Sequence, residues 1–189
     1  MKTPRFTVAV IAHQTEPYLM QALDSVSAQT FPNFECLMIV EESTDRSLEI
    51  CRRKETADPR FKTAALPKSG SASVSRNYAM DHAAGKYLAF LDGDDLLKPE
   101  MLERAAALLE KHPETDVLHF NGEEILEQPD GSLQPGRPLA NLPSSESGNS
   151  MTGPDLIRKM GNGGAVGGYT WLNICRTAFL RENKLYQNP

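Results

Sequence analysis

Apolar residues recur along the first 120 positions in two alternating patterns. Short runs of β-branched and aromatic residues, bounded by turn-forming positions, predict buried strands. Between them, apolar residues three or four apart predict amphipathic helices, as Leu19, Leu23 and Val26 do. The predicted strands cover residues 6–12, 34–40, 61–66, 87–91 and 117–120. Strands separated by helices indicate βαβ units, and therefore an α/β fold with a mostly parallel central sheet and helices on both faces.

The pattern changes after residue 121, and we divide the chain into a core over 1–121 and a second part over 122–189. Residues 128–150 contain four prolines, three glycines and five serines. This composition predicts a long loop or an irregular hairpin. A short helix over 155–160 is expected to follow.

A glycine-rich tract occupies residues 161–168. Its N–H groups could cradle a phosphate, but the tract lacks the preceding strand and following helix of a P-loop. We therefore interpret it as a mobile loop that could act as a lid. Apolar positions over 169–175 predict one more strand, and residues 178–183 predict a short helix.

Composition and charge exclude some classes of function. The chain of 189 residues carries 20 basic and 25 acidic side chains, a net charge of −5, and has no basic run. We therefore expect no nucleic-acid partner. The three cysteines form no C-x-x-C pair, which is typical of reduced thiols in a cytoplasmic protein. The apolar run over 8–12 is too short for a signal peptide or a membrane span, although peripheral membrane association of a longer protein stays open.

The most informative segment is Asp-Gly-Asp-Asp at 92–95, directly after a predicted strand. Three carboxylates in four positions repel one another unless a cation lies among them. Hard divalent ions such as Mn²⁺ or Mg²⁺ prefer oxygen ligands and often bind one or two carboxylates together with substrate phosphates. The segment therefore predicts a metal–diphosphate site, although aspartate and glycine are also common in turns that bind nothing.

Three other polar segments are expected at the same edge of the sheet, because parallel strands present their ligands at their carboxyl ends. Residues 12–16 and 41–45 follow the first two strands, and residues 68–77 lead into the helix before the acidic segment. The N-terminus of that helix offers N–H groups to an anion, and Arg76 offers a planar set of donors.

Motifs in three stretches match one enzyme family. Residues 8–35 match the family's opening strand and helix and its Q-T-x-x-x-x-E turn. Residues 70–87 match its R-N stretch and the A-x-G-x-Y motif that follows. Residues 90–95 match its F-L-D-x-D-D motif. In this order and spacing, the chain resembles the inverting glycosyltransferases of family 2, whose fold is GT-A, a Rossmann-like βαβ domain. The resemblance is close over 6–121 and weaker over 169–189.

The resemblance implies a nucleotide-sugar donor, usually UDP-linked, that is held by Mn²⁺ or Mg²⁺. Asp94 would ligate the metal that bridges the two phosphates. Asp92 would lie near the ribose or the metal-bound water, where it is a further candidate ligand. Asp95 would be a second ligand or an orienting neighbour. Arg76 would approach the diphosphate or hold the pocket together.

Other positions would contact the remaining parts of the donor. By the same resemblance, Ala12 and Glu16 would line the nucleoside pocket, and Glu42 would contact the base. Gly93 would belong to the nucleotide-sugar-binding turn. The acceptor would be a glycan, a lipid-linked sugar or another glycoconjugate.

The sequence departs from the family pattern in two places. Residues 41–45 read Glu-Glu-Ser-Thr-Asp where D-D-G-S-T-D is usual, which leaves the nucleotide base open. Residues 184–189 are similar to the start of the run that precedes the family's general base. We therefore expect a fragment that ends before that base, with the general base beyond Pro189, and we assign no catalytic residue within 1–189.

Two classes of function remain after these departures. A non-catalytic nucleotide-sugar-binding module is the alternative to an active transferase. A dinucleotide oxidoreductase and a serine hydrolase are disfavoured, because G-x-G-x-x-G and G-x-S-x-G are missing.

Overall fold

The computed structural model describes residues 3–139, 148–161 and 170–188, and a six-stranded sheet forms its centre. The strands are β1 (Phe6–Ala12), β2 (Phe34–Glu41), β3 (Phe61–Leu66), β4 (Tyr87–Asp92), β5 (Val117–His119), β6 (Glu123–Glu127), β7 (Leu133–Pro138) and β8 (Asn173–Arg176). The central sheet has the order β3-β2-β1-β4-β8-β5, and β6 pairs with β7 in a separate hairpin. Strands β1 to β4 are parallel, as predicted, whereas β8 runs antiparallel to both its neighbours.

Helices cover both faces of the central sheet. They are α1 (Glu16–Ser27), α2 (Ser47–Ala57), α3 (Ala72–His82), α4 (Met101–Lys111), α5 (Gly153–Gly161) and α6 (Thr177–Glu182). Alternate residues of a strand point to opposite faces. Val8 and Val10 accordingly share a core with residues of α1, α2 and α4, while Ala9 and Ile11 share a second core with residues of α3 and α6. Two apolar layers thus enclose the sheet, as the pattern of apolar residues predicts.

Four predictions for the second half of the chain have different outcomes. The strand predicted over 169–175 begins only at Asn173, because Thr170–Leu172 forms a 3-10 turn. An irregular hairpin is present in β6 and β7, whose register shifts between Glu123 and Ile125, but it begins ahead of the predicted range 128–150. Residues 140–147 of that range lie outside the described residues. Residues 162–168 of the glycine-rich tract lie outside the described residues, so its role as a lid stays a prediction. The division after residue 121 also stays a prediction, although β8 comes from the second part and completes the core sheet.

A buried polar network closes the edge of the sheet where β1 and β2 begin. The Glu35 carboxylate accepts hydrogen bonds from Thr7 Oγ1 at 2.7 Å, from Ala84 N at 2.7 Å and from Lys62 Nζ at 3.0 Å. Gly85 N donates to Thr7 Oγ1 at 2.9 Å. The Q-T-x-x-x-x-E and A-x-G-x-Y motifs meet here, far from the acidic segment, so both contain residues that hold the fold together.

The three cysteines are free thiols, and burial raises the pKa of each of them. This agrees with the prediction of reduced thiols in the core. Within the described residues, no helix combines the length and the apolar character needed to cross a bilayer.

The opposite edge of the sheet contains the point where the strand order reverses. From β1 the chain continues to β2 and β3 on one side, whereas β4 pairs with β1 on the other. Ligands of open α/β sheets bind at the carboxyl ends of strands beside such a point. Ile11 of β1 is in register with Asp92 of β4, so the acidic segment leaves the sheet directly at this crevice.

Candidate functional site

The acidic segment forms a tight turn against the end of β1. Gly93 N donates to Ile11 O at 2.8 Å, and Asp95 N donates to Asp92 O at 3.0 Å. A Cβ atom at Gly93 would lie 2.9 Å from Thr15 Oγ1 and 3.1 Å from Ile11 O. Gly93 therefore allows the turn to approach the β1–α1 loop more closely than any other residue type could.

Arg76 of α3 lies beside this turn. Its Nη2 donates to Asp92 Oδ1 at 2.9 Å, and this ion pair is only partly exposed. Arg76 Nε and Thr15 Oγ1 are buried and have no hydrogen-bond partner. Because buried polar groups are normally satisfied, these two are buried atoms of the site with unused hydrogen-bonding capacity. Both can donate, which suits an anionic ligand.

The carboxylates of the acidic turn repel one another. Burial, together with the negative charges of Asp94 and Asp92, raises the pKa of Asp95 to about 6. Arg76 balances Asp92, while Asp94 is exposed to solvent. A cation beside Asp94 and Asp95 would relieve this repulsion, so the donor set fits a hard divalent ion.

Protein side chains alone do not enclose a metal here. Among the described residues, there is no group of three or more His, Cys, Asp or Glu side chains arranged to hold an ion. Mg²⁺ sites commonly use one or two carboxylates and complete their shell with phosphate oxygens and water. The metal stays a prediction. What favours it is the excess negative charge of the acidic turn, where Arg76 neutralises only Asp92.

Two acidic residues cross-link the ends of β1 and β2. Asp45 accepts from Glu16 N at 3.0 Å, and also from Ser47 N at 3.1 Å, so it satisfies the first turns of both α1 and α2. The Glu16 carboxylate in turn accepts from Arg46 N at 2.8 Å and Arg46 Nε at 2.7 Å. The hydrogen bonds from Arg46 lower the pKa of Glu16. Glu16 thus fixes the two loops relative to each other.

The two glutamates at the end of β2 have different surroundings. Glu41 is buried, and it accepts from Ser69 Oγ at 2.8 Å and Ser75 Oγ at 2.9 Å. Burial opposes its ionisation, but hydrogen bonds from Ser69, Ser75 and Gly70 outweigh it and lower the pKa of Glu41. Glu42 is exposed at the edge of the sheet. Of the two, only Glu42 is accessible to a ligand.

The structure places the predicted site residues in two groups. Arg76, Asp92 and Gly93 contact one another or the same loop, and Asp94 continues that turn. Of the others, Ala12 is the last residue of β1, whereas Glu16 and Glu42 follow β1 and β2. Ala12 is completely buried in the core, so its side chain offers no surface to a nucleoside.

Sequence reasoning missed the contribution of Thr15. Its hydroxyl lies against the acidic turn and, like Arg76 Nε, is a buried polar atom without a hydrogen-bond partner. No spacing rule could have identified it, because the contact depends on the pairing of β1 with β4.

Asn77, which follows Arg76 on α3, holds the last described segment of the chain. Its Nδ2 donates to Gln187 O at 2.8 Å, and its Oδ1 accepts from Gln187 N at 2.8 Å. Tyr186 Oη donates to Asp81 at 2.6 Å on the same helix. The R-N motif therefore joins the site to the segment that follows α6.

The general base that we expect beyond Pro189 is not tested by the structure. Pro189 itself lies outside the described residues, which reach 188 in this segment. The location of the base therefore stays a prediction, and no described residue is assigned that role.

A mostly parallel sheet with an Asp-Gly-Asp-Asp turn at the point of strand reversal is typical of an α/β protein of the GT-A type. The model of the family described as "Glycosyl transferase family 2" matches residues 7–148, and this chain belongs to that family. The predicted family and fold class are thereby confirmed.

Curated relatives and solved structures agree with this assignment. The putative glycosyltransferase EpsH of Bacillus subtilis is 32% identical over 121 residues, which cover 64% of this chain and 34% of EpsH. The poly(ribitol-phosphate) beta-N-acetylglucosaminyltransferase TarS of Staphylococcus aureus is 32% identical over 116 residues, which cover 60% of this chain and 20% of TarS. The matches thus span about a third or less of these two relatives.

Crystal structures of S. aureus TarS 1-349 resemble this chain over 97% of its length at 25% sequence identity. The complex with UDP-GlcNAc gives a TM-score of 0.71 and is covered to 48%, and the complex with UDP gives 0.69 and is covered to 50%. The chain therefore corresponds to about half of each TarS structure.

Proposed function

We propose that this chain forms the donor-binding part of a glycosyltransferase that takes a UDP-linked sugar together with Mn²⁺ or Mg²⁺. The acidic turn at 92–95, which lies beside Arg76 at the switch point of the sheet, carries the proposal. Family membership supports glycosyl transfer. The likeness to TarS in complex with UDP and UDP-GlcNAc supports a uridine nucleotide.

In this proposal, residues of the acidic turn hold the diphosphate. Asp94 and Asp95 bind the metal ion, and Asp92 stays paired with Arg76 at the base of the turn. The ion supplies positive charge that stabilises the diphosphate leaving group as its bond to the sugar breaks. Arg76 Nε and Thr15 Oγ1, which have no hydrogen-bond partner in the protein, would donate to the phosphates.

The nucleoside lies on the β1 and β2 side of the crevice. Glu42 is exposed there and contacts the base. Glu16 acts through Arg46, because its carboxylate is already engaged, and it keeps the two loops at a fixed separation. The acceptor is a glycan or a lipid-linked sugar, and the general base belongs to the acceptor side of the whole enzyme.

Calorimetric titration of UDP into the protein tests the proposal directly. We expect binding in Mn²⁺ and binding at least about tenfold weaker in EDTA, because Asp94 and Asp95 would hold an ion whose positive charge attracts the phosphates. GDP serves as the matched control for the base, and UMP for the second phosphate. Equal affinity with and without Mn²⁺ would refute metal assistance, and preference for GDP would refute the uridine assignment. If UDP binds but UDP-sugars are neither transferred nor hydrolysed by the full-length protein, the chain is a binding module.

A further inference from the structure

The segment between the acidic turn and α4 is fastened to the end of α1. Leu97 N donates to Ser25 Oγ at 3.1 Å, and Thr30 N donates to Pro99 O at 3.0 Å. Gln29 Nε2 donates to Lys98 O at 2.9 Å. Three successive residues of the loop are therefore bound by one short stretch of the chain.

Gln29 also supplies a hydrogen-bond acceptor to the first turn of α4. Its Oε1 accepts from Leu102 N at 3.0 Å. Glu100, the N-cap residue of α4, makes no side-chain capping hydrogen bond. The first N–H groups of a helix need such an acceptor. Gln29 thus caps α4 from the stretch that follows α1, and at 6% exposure its side chain is enclosed between that stretch and α4.

These contacts leave little freedom to the carboxylates of the turn. Gly93 N is bound to Ile11 O before them, and Leu97 N is bound to Ser25 after them. Asp94 and Asp95 lie on the short stretch between these two anchors. Their separation and direction are set by where the anchors are held, because a stretch this short cannot rearrange without releasing one of them.

We infer that Gln29 is a positioning residue that holds the Asp94 and Asp95 carboxylates in the geometry a metal–diphosphate group requires. The inference rests on the proposed function and extends it to a residue that touches neither metal nor nucleotide. It also gives a role to the glutamine of the Q-T motif, since metal sites lose affinity when the residues that support their ligands are removed.

The Gln29→Leu variant tests this inference, with Glu35→Gln as a matched control. Glu35 is buried to the same degree, at 7% exposure, but lies at the opposite edge of the sheet. Amide hydrogen exchange over residues 93–100 is measured first, without ligand. We expect exchange in Gln29→Leu to rise about fivefold or more, because Leu102 N loses its partner and the loop loses an anchor. Exchange over this segment in Glu35→Gln is expected to stay within about twofold of the wild type.

The second measurement is the ratio of UDP affinities in Mn²⁺ and in EDTA. This ratio should fall about tenfold in Gln29→Leu and stay unchanged in Glu35→Gln, even where both variants melt at lower temperature. An unchanged ratio in Gln29→Leu, or an equal fall in both variants, would overturn the inference. If Gln29→Leu does not fold, Ser25→Ala replaces it, with a fall of about threefold expected and an unchanged ratio counting against the inference.

The two measurements separate this inference from the proposed function. If the wild type binds no UDP in Mn²⁺, the proposed function fails, and the exchange measurement alone decides whether Gln29 holds the loop. Unchanged exchange in Gln29→Leu then overturns the inference as well. If the wild type binds UDP and Gln29→Leu binds it with the same metal dependence, only the inference fails.

Discussion

Nη2 of Arg76 donates to Oδ1 of Asp92 at 2.9 Å, which joins α3 to the end of β4 at the proposed donor site. The contact occupies one nitrogen of the guanidinium and leaves Nε buried and unpartnered. Arg76 is therefore suited to two tasks. It neutralises one carboxylate of the acidic turn and keeps a donor for an anionic ligand.

We predict that Arg76→Gln weakens UDP binding about tenfold in EDTA as well as in Mn²⁺, because a charge-assisted hydrogen bond is lost that does not depend on the metal. Arg76→Lys should recover part of the affinity, since it keeps the charge without the fork of donors. Calorimetry on both variants measures this. Arg53→Gln, an exposed position of α2 that pairs with Glu49, is the control. Wild-type affinity in Arg76→Gln would contradict the role of Arg76.

Asp94→Asn should abolish the gain in UDP affinity from Mn²⁺ and leave the fold intact. Asp94 is exposed, so its replacement should change the free energy of unfolding by no more than about 0.5 kcal/mol. The amide keeps the shape of the side chain but loses the charge that a divalent ion requires. Calorimetry and urea denaturation give the two quantities. Asp130→Asn, in the exposed turn of the β6–β7 hairpin, is the control and should match the wild type in UDP affinity and in unfolding free energy. If Mn²⁺ still raised the UDP affinity of Asp94→Asn, Asp94 would not be part of the metal site.

Glu35 should make stability depend on pH in the acid range. Burial opposes its ionisation, but hydrogen bonds from Thr7, Ala84 and Lys62 outweigh that cost and lower its pKa below the ordinary 4.5. A lowered native pKa means stabilisation that is complete above the ordinary pKa and is lost as the pH falls through the native one. Glu35→Gln should therefore cost about 1–3 kcal/mol of unfolding free energy at pH 7 and progressively less in acid.

Urea denaturation of wild type and Glu35→Gln at pH 7 and at about pH 3 provides the test. Thr63→Val, at a buried hydroxyl that has no hydrogen-bond partner, is a control that should show no such pH dependence. The same difference between wild type and Glu35→Gln at both pH values would show that the Glu35 charge contributes nothing.

Gly85→Ala should destabilise the protein by about 3 kcal/mol, at the upper end of the usual cost of overpacking. An added Cβ would lie 2.4 Å from Thr7 N and 2.5 Å from Phe6 C, so the backbone of β1 itself would have to move. Thermal or urea denaturation measures the loss. Gly153→Ala is the matched control, since nothing lies within 4 Å of its added Cβ. Equal stability of the two variants would mean that β1 yields easily at this point.

The period of apolar residues was sufficient to predict β1 to β4 and the helices between them. β1, β2 and β4 are buried on both sides, so they form nearly continuous apolar runs, whereas β3 is only partly buried. The helices bury one face, so they show a spacing of three or four. The acidic turn was also predictable, because it follows β4 directly in the sequence. Its position at the carboxyl edge follows from the parallel arrangement of the strands.

The place of β8 was not predictable in this way. Its residues come far along the chain, yet the strand inserts between β4 and β5. Cys175 of β8 pairs with Leu88 of β4 on one side and with Val117 of β5 on the other. Four residues carry too weak a pattern to specify a partner strand or a direction. Hydrogen bonding of the exposed edges of β4 and β5 determines both.

The βαβ order, the family motifs and the cluster of carboxylates can be read directly from the sequence, because each depends on residues that are close together along the chain. The roles of the individual side chains follow only from the folded structure. It engages Glu16 with Arg46, buries Glu41 against Ser69 and uses Gln29 to cap α4. Such roles depend on partners brought together by strand pairing and helix packing, and a polar side chain is satisfied by whichever group the fold places within about 3 Å.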